Sequence, residues 1–190
     1  HMNSDHPISV NGGPIVKANL GDFDGDGDTD IVWRREQEAQ TYIWFLEDGK
    51  VLEAGQLNRV ADDWWHIVDT GDFNGDGRDE LYWWNHKTGR IAIWYIDHVP
   101  GHPEQWIGSG TNYVGWVQNL DWRPYSIRDI TPAHVGDEIL WCNVETGAVA
   151  IRMRDHRQPR YLAHAVYART PSGAILHGGE GWEARHFGDF

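Results

Sequence analysis

The chain has 190 residues, a formal net charge of −13 and a sequence pI near 5.1. That length is enough for one sizeable domain. Strong negative charge is repelled by phosphate backbones and by anionic membrane surfaces, so we expect no nucleic-acid partner. The sequence has no apolar run long enough to insert into a bilayer. Its single cysteine, Cys142, excludes an intrachain disulfide.

The beginning of the chain carries no secretion signal. Its first two residues, His1-Met2, are typical of a cloning remnant, so the lack of a signal there does not argue against export. The first predicted strand begins near Pro14 and leads into an Asp/Gly-rich segment at residues 21–30. A second segment of the same kind occupies residues 71–80.

Both segments place oxygen-bearing side chains at alternate positions, with glycines among the residues between them. These side chains are Asp22, Asp24, Asp26 and Asp30 in the first segment, and Asp72, Asn74, Asp76 and Glu80 in the second. Clustered carboxylates repel one another, while glycine allows the tight turns that bring the oxygens to one point. A hard cation with roughly six to eight oxygen ligands relieves the repulsion, and calcium suits such a flexible cage better than magnesium. We therefore predict two calcium sites; zinc is disfavoured because neither segment has Cys or His.

The two segments differ from an EF-hand, which has a bidentate Glu at the twelfth position and continues as a helix. The twelfth residue is Trp33 when counted from Asp22, and Trp83 when counted from Asp72. Apolar and aromatic residues follow each segment and favour a β-strand instead. The alternative is an Asp/Gly-rich turn that binds no ion, but two copies with the same spacing favour strand–loop–strand calcium sites.

Three copies of one pattern follow each other along the chain. A shift of 50 places residues 30–33 on residues 80–83, and a shift of 58 places residues 79–83 on residues 137–141. In the third copy residues 130–136 replace the alternating acids, and only the two acids just before the next strand remain. We expect no calcium in that copy.

Each copy is predicted to contain four short strands separated by turns. In the second copy these strands cover residues 65–73, 80–84, 90–96 and 105–110. Four strands in a period of about 50 residues are typical of a β-propeller blade, whereas a solenoid is disfavoured by antiparallel strands within each unit. The predicted fold class is all-β, with propeller blades of four antiparallel strands in three repeats plus the opening strand of a fourth.

The repeated motif resembles a known family. Gly-Asp-Phe-(Asp/Asn)-Gly-Asp-Gly, then two apolar residues and Trp, then Ile-Trp, is similar to the FG-GAP/VCBS repeat family, and the similarity is best over residues 14–155. The resemblance implies β-propeller blades like those of integrin α-chain heads, with calcium between the first two strands of a blade. It also implies a secreted, periplasmic or cell-surface location, where millimolar calcium fills even weak sites.

The same resemblance implies a ligand set for each ion. The alternating acids and Asn74 are expected to bind through their side chains, and Asp28 and Arg78 occupy the position that uses its backbone carbonyl. Glu80 stands where Asp is more usual, which leaves its mode of coordination open.

The repeats predict one domain over residues 1–190 that does not complete a ring by itself. Its blades are expected at about 14–60, 64–112 and 122–165. Residues 182–190 repeat the pattern of a first strand and so predict part of a fourth repeat, while residues 156–181 fit the repeat least. Propellers need roughly four to eight blades, and open strand edges invite pairing. Either two copies complete one ring as a homo-oligomer, which we favour, or the chain is a piece of a longer propeller.

Non-catalytic recognition or adhesion outside the cell is the predicted function, with a protein or glycan ligand on a cell surface. The sequence lacks His-Glu-x-x-His, Gly-x-Ser-x-Gly and a phosphate-binding glycine loop, so we expect no enzyme. A glycan-binding, lectin-like propeller is the first alternative, in which Trp106, Tyr113 and Trp116 are candidates for stacking on sugar rings. An accessory domain of a secreted hydrolase or lyase is the second alternative.

Overall fold

The computed structural model describes residues 9–10, 13–14, 17–35, 38–99, 102–109, 113–130, 135–152, 166–167 and 172–174. Within these residues there are fifteen β-strands and no α-helix. This part of the chain accordingly has no helix with the length and apolar character that a membrane crossing requires. The predicted partial repeat at 182–190 and most of segment 156–181 lie outside the described residues.

The strands form three antiparallel sheets and one short hairpin, in which β1 (Ser9–Val10) pairs with β2 (Gly13–Pro14). The first sheet contains β3 (Lys17–Gly21), β4 (Asp30–Arg35), β5 (Gln40–Glu47) and β6 (Lys50–Gln56). The second contains β7 (Trp65–Gly71), β8 (Glu80–Asn85), β9 (Arg90–Val99), β10 (His102–Ser109) and β11 (Tyr113–Trp116). The third contains β12 (Trp122–Arg128), β13 (Glu138–Asn143), β14 (Val149–Arg152) and β15 (Val166–Tyr167).

This architecture confirms an all-β chain built from four-stranded antiparallel sheets. The fourth strand of the second sheet differs from the prediction, because it is divided in two. β10 pairs with residues 95–99 of β9, whereas β11 pairs with residues 90–92. The ten-residue β9 offers a longer edge than β10 covers, and its remaining backbone groups find hydrogen-bond partners in β11.

The second sheet contributes to two cores, one on each face, which fits the nearly continuous apolar residues of β8 and of residues 91–96 in β9. One face forms a core with the first sheet, in which the largest side chains are Phe23, Phe45, Trp83 and Trp94. The other face forms a core with the third sheet, in which the largest are Phe73, Tyr82 and Trp141. Neighbouring residues of β8 point to opposite faces, so Trp83 and Tyr82 serve different cores.

Two tryptophans pack together at equivalent places in the first two sheets. The ring centroids of Trp33 and Trp44 are 5.0 Å apart, and those of Trp83 and Trp94 are 4.8 Å apart. In the third sheet the first member of the pair is Trp141, but a shift of 58 from Trp94 reaches Arg152. The ladder confirms this equivalence, since Trp94 is opposite Leu81 in β8 and Arg152 is opposite Ile139 in β13.

The first strands of the three sheets lie side by side, β3 next to β7 and β7 next to β12. They approach closely at Gly71, where a Cβ atom would collide with the Asp137 carboxylate and the Ile127 side chain. A hydrogen bond from the Thr70 hydroxyl to the Leu20 carbonyl also links β7 to β3. The ends of β3 and β7 that carry the Asp/Gly segments are therefore held at fixed distances from the following sheet.

Replacing Trp83 with Ala tests the core between the first two sheets. Trp83 is 1 % exposed and packs on Trp94, so its removal leaves a cavity and should lower the free energy of unfolding by about 3–5 kcal/mol. Leu52→Ala is the control, because Leu52 is 68 % exposed on β6 and its truncation should cost less than about 0.5 kcal/mol. Urea unfolding measures both changes, and equal losses for the two variants would contradict this packing.

Candidate metal centres

Both Asp/Gly segments form loops between the first two strands of a sheet, as expected. The first joins β3 to β4, and the second joins β7 to β8. Each loop has two glycines in the left-handed region: Gly25 and Gly27 have φ of 81° and 94°, and Gly75 and Gly77 have φ of 77° and 87°. An L side chain rarely adopts such angles, so glycine is what allows these turns.

Each loop brings three carboxylates to one point. In the first loop one oxygen each of Asp22, Asp24 and Asp30 lie within 4.8 Å of one another. In the second loop the same holds for Asp72, Asp76 and Glu80. Three anionic oxygens at this separation repel one another strongly unless a cation or a proton lies between them.

The first acid of each loop also shapes the backbone. The two Asp22 oxygens accept hydrogen bonds from the N–H groups of Gly25 and Gly27, at 2.7 and 3.0 Å. Asp72 repeats this arrangement with Gly75 and Gly77, at 2.6 and 2.9 Å. The first acid of each loop therefore turns the backbone in the same way.

Asp26 and Asn74 differ from the expected side-chain ligands in what they contact. Asp26 is not in the first carboxylate group, and its Oδ1 accepts the Asp28 N–H at 2.8 Å. The amide nitrogen of Asn74 donates to Asp76 at 2.8 Å and to Glu80 at 2.7 Å. That amide offers positive hydrogens to two carboxylates, as a cation would. Rotation by half a turn would present its oxygen instead.

Asp28 and Arg78 have side chains that are engaged outside the oxygen clusters. The Asp28 carboxylate accepts the N–H of Asp48, in the turn between β5 and β6, at 2.9 Å. The Arg78 side chain lies against the first loop, since a Cβ on Gly25 would be 3.2 Å from Arg78 Cγ. Both arrangements leave the backbone carbonyl as the group available to an ion, and that role stays a prediction.

Burial and mutual repulsion both disfavour ionisation of these acids. Burial is the main cause of a raised pKa at Asp24, Asp30 and Glu80, and neighbouring carboxylates add to it. The effect is largest at Glu80, whose pKa rises to about 8 even though the backbone N–H groups of Phe73 and Asn74 stabilise its anion. A divalent cation would reverse this effect, since it favours the ionised form of every carboxylate around it.

The last acid of the loop has a structural role that recurs in all three sheets. Asp30 accepts the Phe23 N–H at 2.9 Å, and Glu80 accepts the Phe73 N–H at 2.8 Å. In the third copy Glu138 accepts the Ile130 N–H at 2.7 Å. All three carboxylates are buried. Glu138 therefore accepts a backbone N–H from the end of the preceding strand segment, much as Asp30 and Glu80 do, which gives it a structural role in a copy that keeps only Asp137 and Glu138 of these acids.

A second recurring interaction ties each loop to the next sheet. The Asp22 N–H donates to the Asp79 carboxylate at 2.9 Å, and the Asp79 N–H donates to the Asp22 carbonyl at 2.7 Å. Asp72 and Asp137 make the same two hydrogen bonds, at 3.1 and 2.8 Å. We name these two reciprocal pairs the aspartate clamps. Sequence reasoning missed them, although the persistence of an acid at position 137 was a signal.

The three aromatic candidates for ligand binding do not form one described cluster. Trp116 lies at the end of β11 and is 61 % exposed. The structure places Trp106 in β10, opposite His98, and Tyr113 in β11, opposite Ala92. The side chains of Trp106 and Tyr113 lie outside what the structure describes.

A groove between the second and third sheets was not predicted. It has a volume of about 550 Å³, and its lining includes His66, Trp84, His86, Arg123 and Tyr125. The rings of His66 and His86 stack with centroids 4.9 Å apart. The residues come from β7, β8, β12 and the β8–β9 turn, so no single stretch of sequence indicates the groove.

The comparisons with known proteins identify a repeat family but no individual related protein. A family model described as an FG-GAP-like repeat matches residues 22–83, which confirms the recognition of that repeat in the chain. The match begins at the first acid of the first loop and ends at Trp83 in β8 of the second sheet, so it includes both loops. Neither the curated proteins nor the solved structures gave a significant match.

The aspartate clamp at Asp137 predicts a difference between two substitutions. Asp137→Ala removes the acceptor of the Asp72 N–H and should cost about 1–3 kcal/mol of unfolding free energy. Asp137→Asn keeps an oxygen acceptor and should cost less. Thermal unfolding of both variants in calcium tests this expectation, and equal losses would contradict the hydrogen-bonding role.

The same residue predicts a pH dependence. Burial, followed by the repulsion of Asp79 and Asp72, raises the Asp137 pKa from 3.8 to about 6. A raised pKa means that the folded state binds the proton more tightly. The stabilisation is therefore complete below about pH 4 and is lost as the pH rises through about 6. The stability of the wild-type chain relative to Asp137→Asn should fall over that interval in calcium-free buffer, and a constant difference would contradict it.

Proposed function

We propose that this chain, in which residues 22–83 carry an FG-GAP-like repeat, is a calcium-stabilised β-propeller module that serves recognition or adhesion outside the cell. The observation that carries the proposal is a group of three carboxylates in the same loop of two successive sheets, with the first and last acids of each group at equivalent positions. Three acids held this close repel one another unless a cation lies between them, whereas a solvated turn has no need to bring them together.

The donor atoms fit calcium better than other biological cations. Every polar side chain in the two groups offers oxygen, and thiolate or imidazole ligands, which zinc prefers, are absent from both groups. The loops are glycine-rich and partly exposed, which suits the variable coordination of calcium better than the strict octahedron of magnesium. When bound, the ion supplies positive charge that lets the clustered acids ionise together. Hydrogen bonds from the Gly25 and Gly75 N–H groups to the Asp22 and Asp72 carboxylates support the loop turns around the proposed ions.

The contacts between successive sheets support a propeller arrangement. The aspartate clamp joins the first sheet to the second and is repeated between the second and the third. Repetition of one head-to-tail contact generates a ring if the rotation closes. The side-by-side packing of β3, β7 and β12 is what blades arranged about a common axis require.

Completion of the ring by a second copy of the chain is part of this proposal. The described residues form three sheets, whereas propellers have roughly four to eight blades, and an open strand edge invites pairing. An extracellular or periplasmic location fits as well, because calcium there reaches the roughly millimolar level that weak sites of extracellular modules need. The proposal assigns no reaction to the chain.

Substitution of one acid in each loop tests the calcium proposal. Asp24→Ala and Asp76→Ala each remove a carboxylate from one group, so each variant should lose one calcium site in isothermal titration calorimetry. Each should also lose part of the rise in melting temperature that calcium produces, since a ligand that binds only the folded state stabilises it by about 1.4 kcal/mol per tenfold of affinity.

Asp63→Ala is the matched control, because Asp63 is exposed and belongs to neither group. It should keep both sites and the full thermal shift. A wild-type melting temperature that is the same in calcium and in excess chelator would contradict the proposed role of the ions.

Asn74→Asp gives an independent test, with opposite effects in the two conditions. Without calcium the variant loses the two hydrogen bonds from the Asn74 amide and adds a fourth acid to the cluster, so its melting temperature should fall. With calcium the added carboxylate should raise the affinity of the second site, which then resembles the first. Differential scanning calorimetry in both buffers measures this, and a change of the same sign in both would refute the second site.

A further inference from the structure

The third sheet departs from the other two at one partly buried position, where Arg152 replaces a packing tryptophan. Its equivalents Trp44 and Trp94 pack their rings on Trp33 and Trp83. In the third sheet the Arg152 guanidinium lies over the Trp141 ring instead, with Cζ 5.9 Å from the ring centroid. A positively charged guanidinium therefore occupies the position that holds a tryptophan ring in the other two sheets.

The Arg152 charge has no counter-ion in the described part of the chain. Its Nε and Nη1 atoms are buried and have no hydrogen-bond partner. Among the described residues, the Tyr82 phenol interacts electrostatically with the Arg152 guanidinium. The Tyr82 hydroxyl is itself buried without a hydrogen-bond partner there. Burial lowers the pKa of the Arg152 guanidinium accordingly. A buried cation with unsatisfied N–H groups is costly for the folded protein, and an anion placed against it removes that cost.

Arg152 lines a cavity of about 210 Å³ whose walls are mainly aromatic. The other walls include Trp116, Trp122, Trp141 and Tyr167. The rings of Trp122 and Tyr167 meet edge to face with centroids 5.7 Å apart, while Trp116 is largely exposed at the rim. Among the described residues the Trp141 indole N–H is also buried without a partner, as are those of its equivalents Trp33 and Trp83, so the feature that is particular to this sheet is the Arg152 guanidinium. We name these five residues the Arg152 pocket.

We propose that the Arg152 pocket binds a carboxylate-bearing sugar ring, a hexuronate. The unsatisfied groups of the pocket residues, on Arg152 and Trp141, are hydrogen-bond donors, so the ligand must bring acceptors. A carboxylate pairs with two guanidinium N–H groups at once, and a ring or hydroxyl oxygen can accept from an indole N–H. The flat C–H face of a sugar packs on tryptophan rings, and the volume suits a single ring.

Other ligand classes satisfy only part of this chemistry. A neutral hexose has the flat face but leaves the buried cation uncompensated. Inorganic phosphate or sulfate supplies the charge but offers no apolar face to the tryptophans. A carboxylate on an apolar ring, such as cyclohexanecarboxylate, supplies charge and face but no acceptor for a second donor. The proposal rests on the recognition function proposed above and names the chemistry that this function would recognise.

The test is a titration of the full chain with galacturonate and with glucuronate, followed by tryptophan fluorescence and isothermal titration calorimetry. It is carried out in about 1 mM calcium, so that the loops are filled and metal binding does not change with the sugar. We expect saturable binding of at least one uronate with a Kd of about 1 mM or tighter. Galactose, glucose and cyclohexanecarboxylate should each bind at least about tenfold more weakly.

Three variants place the binding site. Arg152→Met should weaken uronate binding by about ten- to a hundredfold, as expected for loss of a charge-assisted hydrogen bond, and should not lower the melting temperature, because it removes an unpaired buried charge. Trp116→Ala should weaken binding about tenfold and leave the melting temperature unchanged, since the side chain is exposed. Arg123→Gln, in the neighbouring groove, is the control and should bind as the wild type does.

The outcomes separate this inference from the proposed function. No uronate binding, equal binding of the neutral hexoses, or unchanged binding by both Arg152→Met and Trp116→Ala would overturn the pocket. Binding of cyclohexanecarboxylate as tight as that of the uronates would overturn the sugar assignment. If Arg152→Met fails to fold, Trp116→Ala still tests the pocket, because Trp116 is exposed and its truncation should leave the fold intact. In each case calcium-dependent melting of the wild type reports on the ion sites separately.

Discussion

Repulsion between carboxylates is the constraint on which this structure depends. Each loop holds three acids with oxygens within 4.8 Å of one another, and glycines with positive φ make that approach possible. Burial further disfavours the ionised form of these acids, and it is the main reason why the pKa of Glu80 rises to about 8. A fold that concentrates charge in this way is most stable when a cation shares the space. We propose the calcium ions because repulsion between the clustered carboxylates destabilises each loop without them. The same kind of cluster occurs in two loops, so a chance arrangement is a poor explanation.

The acids that surround the proposed ions also build the contacts between sheets. Asp22 and Asp72 turn their loops with their carboxylates and use their backbone groups in the aspartate clamps. A change at the ion can therefore reach the neighbouring sheet through a single residue. The third copy keeps only the parts of this system that other sheets need: Asp137 completes the clamp to Asp72, and Glu138 closes its own turn. Loss of the ion loop there did not remove the structural acids.

What could be predicted from sequence was local, and what could not depended on contacts between sheets. The spacing of Asp22 to Asp30 predicted the loop because each oxygen position follows from its own short segment, and the 50-residue shift located the strands for the same reason. The aspartate clamps join residues 57 and 65 positions apart, so no local pattern contains them. The same holds for β11, which pairs because β9 is long. Arg152 stands out in the repeat alignment, but only packing shows that two of its guanidinium N–H groups are buried without a hydrogen-bond partner among the described residues.

The most direct test of the central claim is the number of calcium ions that one chain holds. Equilibrium dialysis against micromolar-to-millimolar calcium, followed by atomic absorption and protein quantification, measures this number without assuming where the ions lie. Two ions per chain at saturation, with the same value at high and low protein concentration, is the expected result. No bound calcium, or binding of one ion per chain at saturation, would contradict the equivalence of the two loops and with it the proposed role of calcium in holding the repeats together.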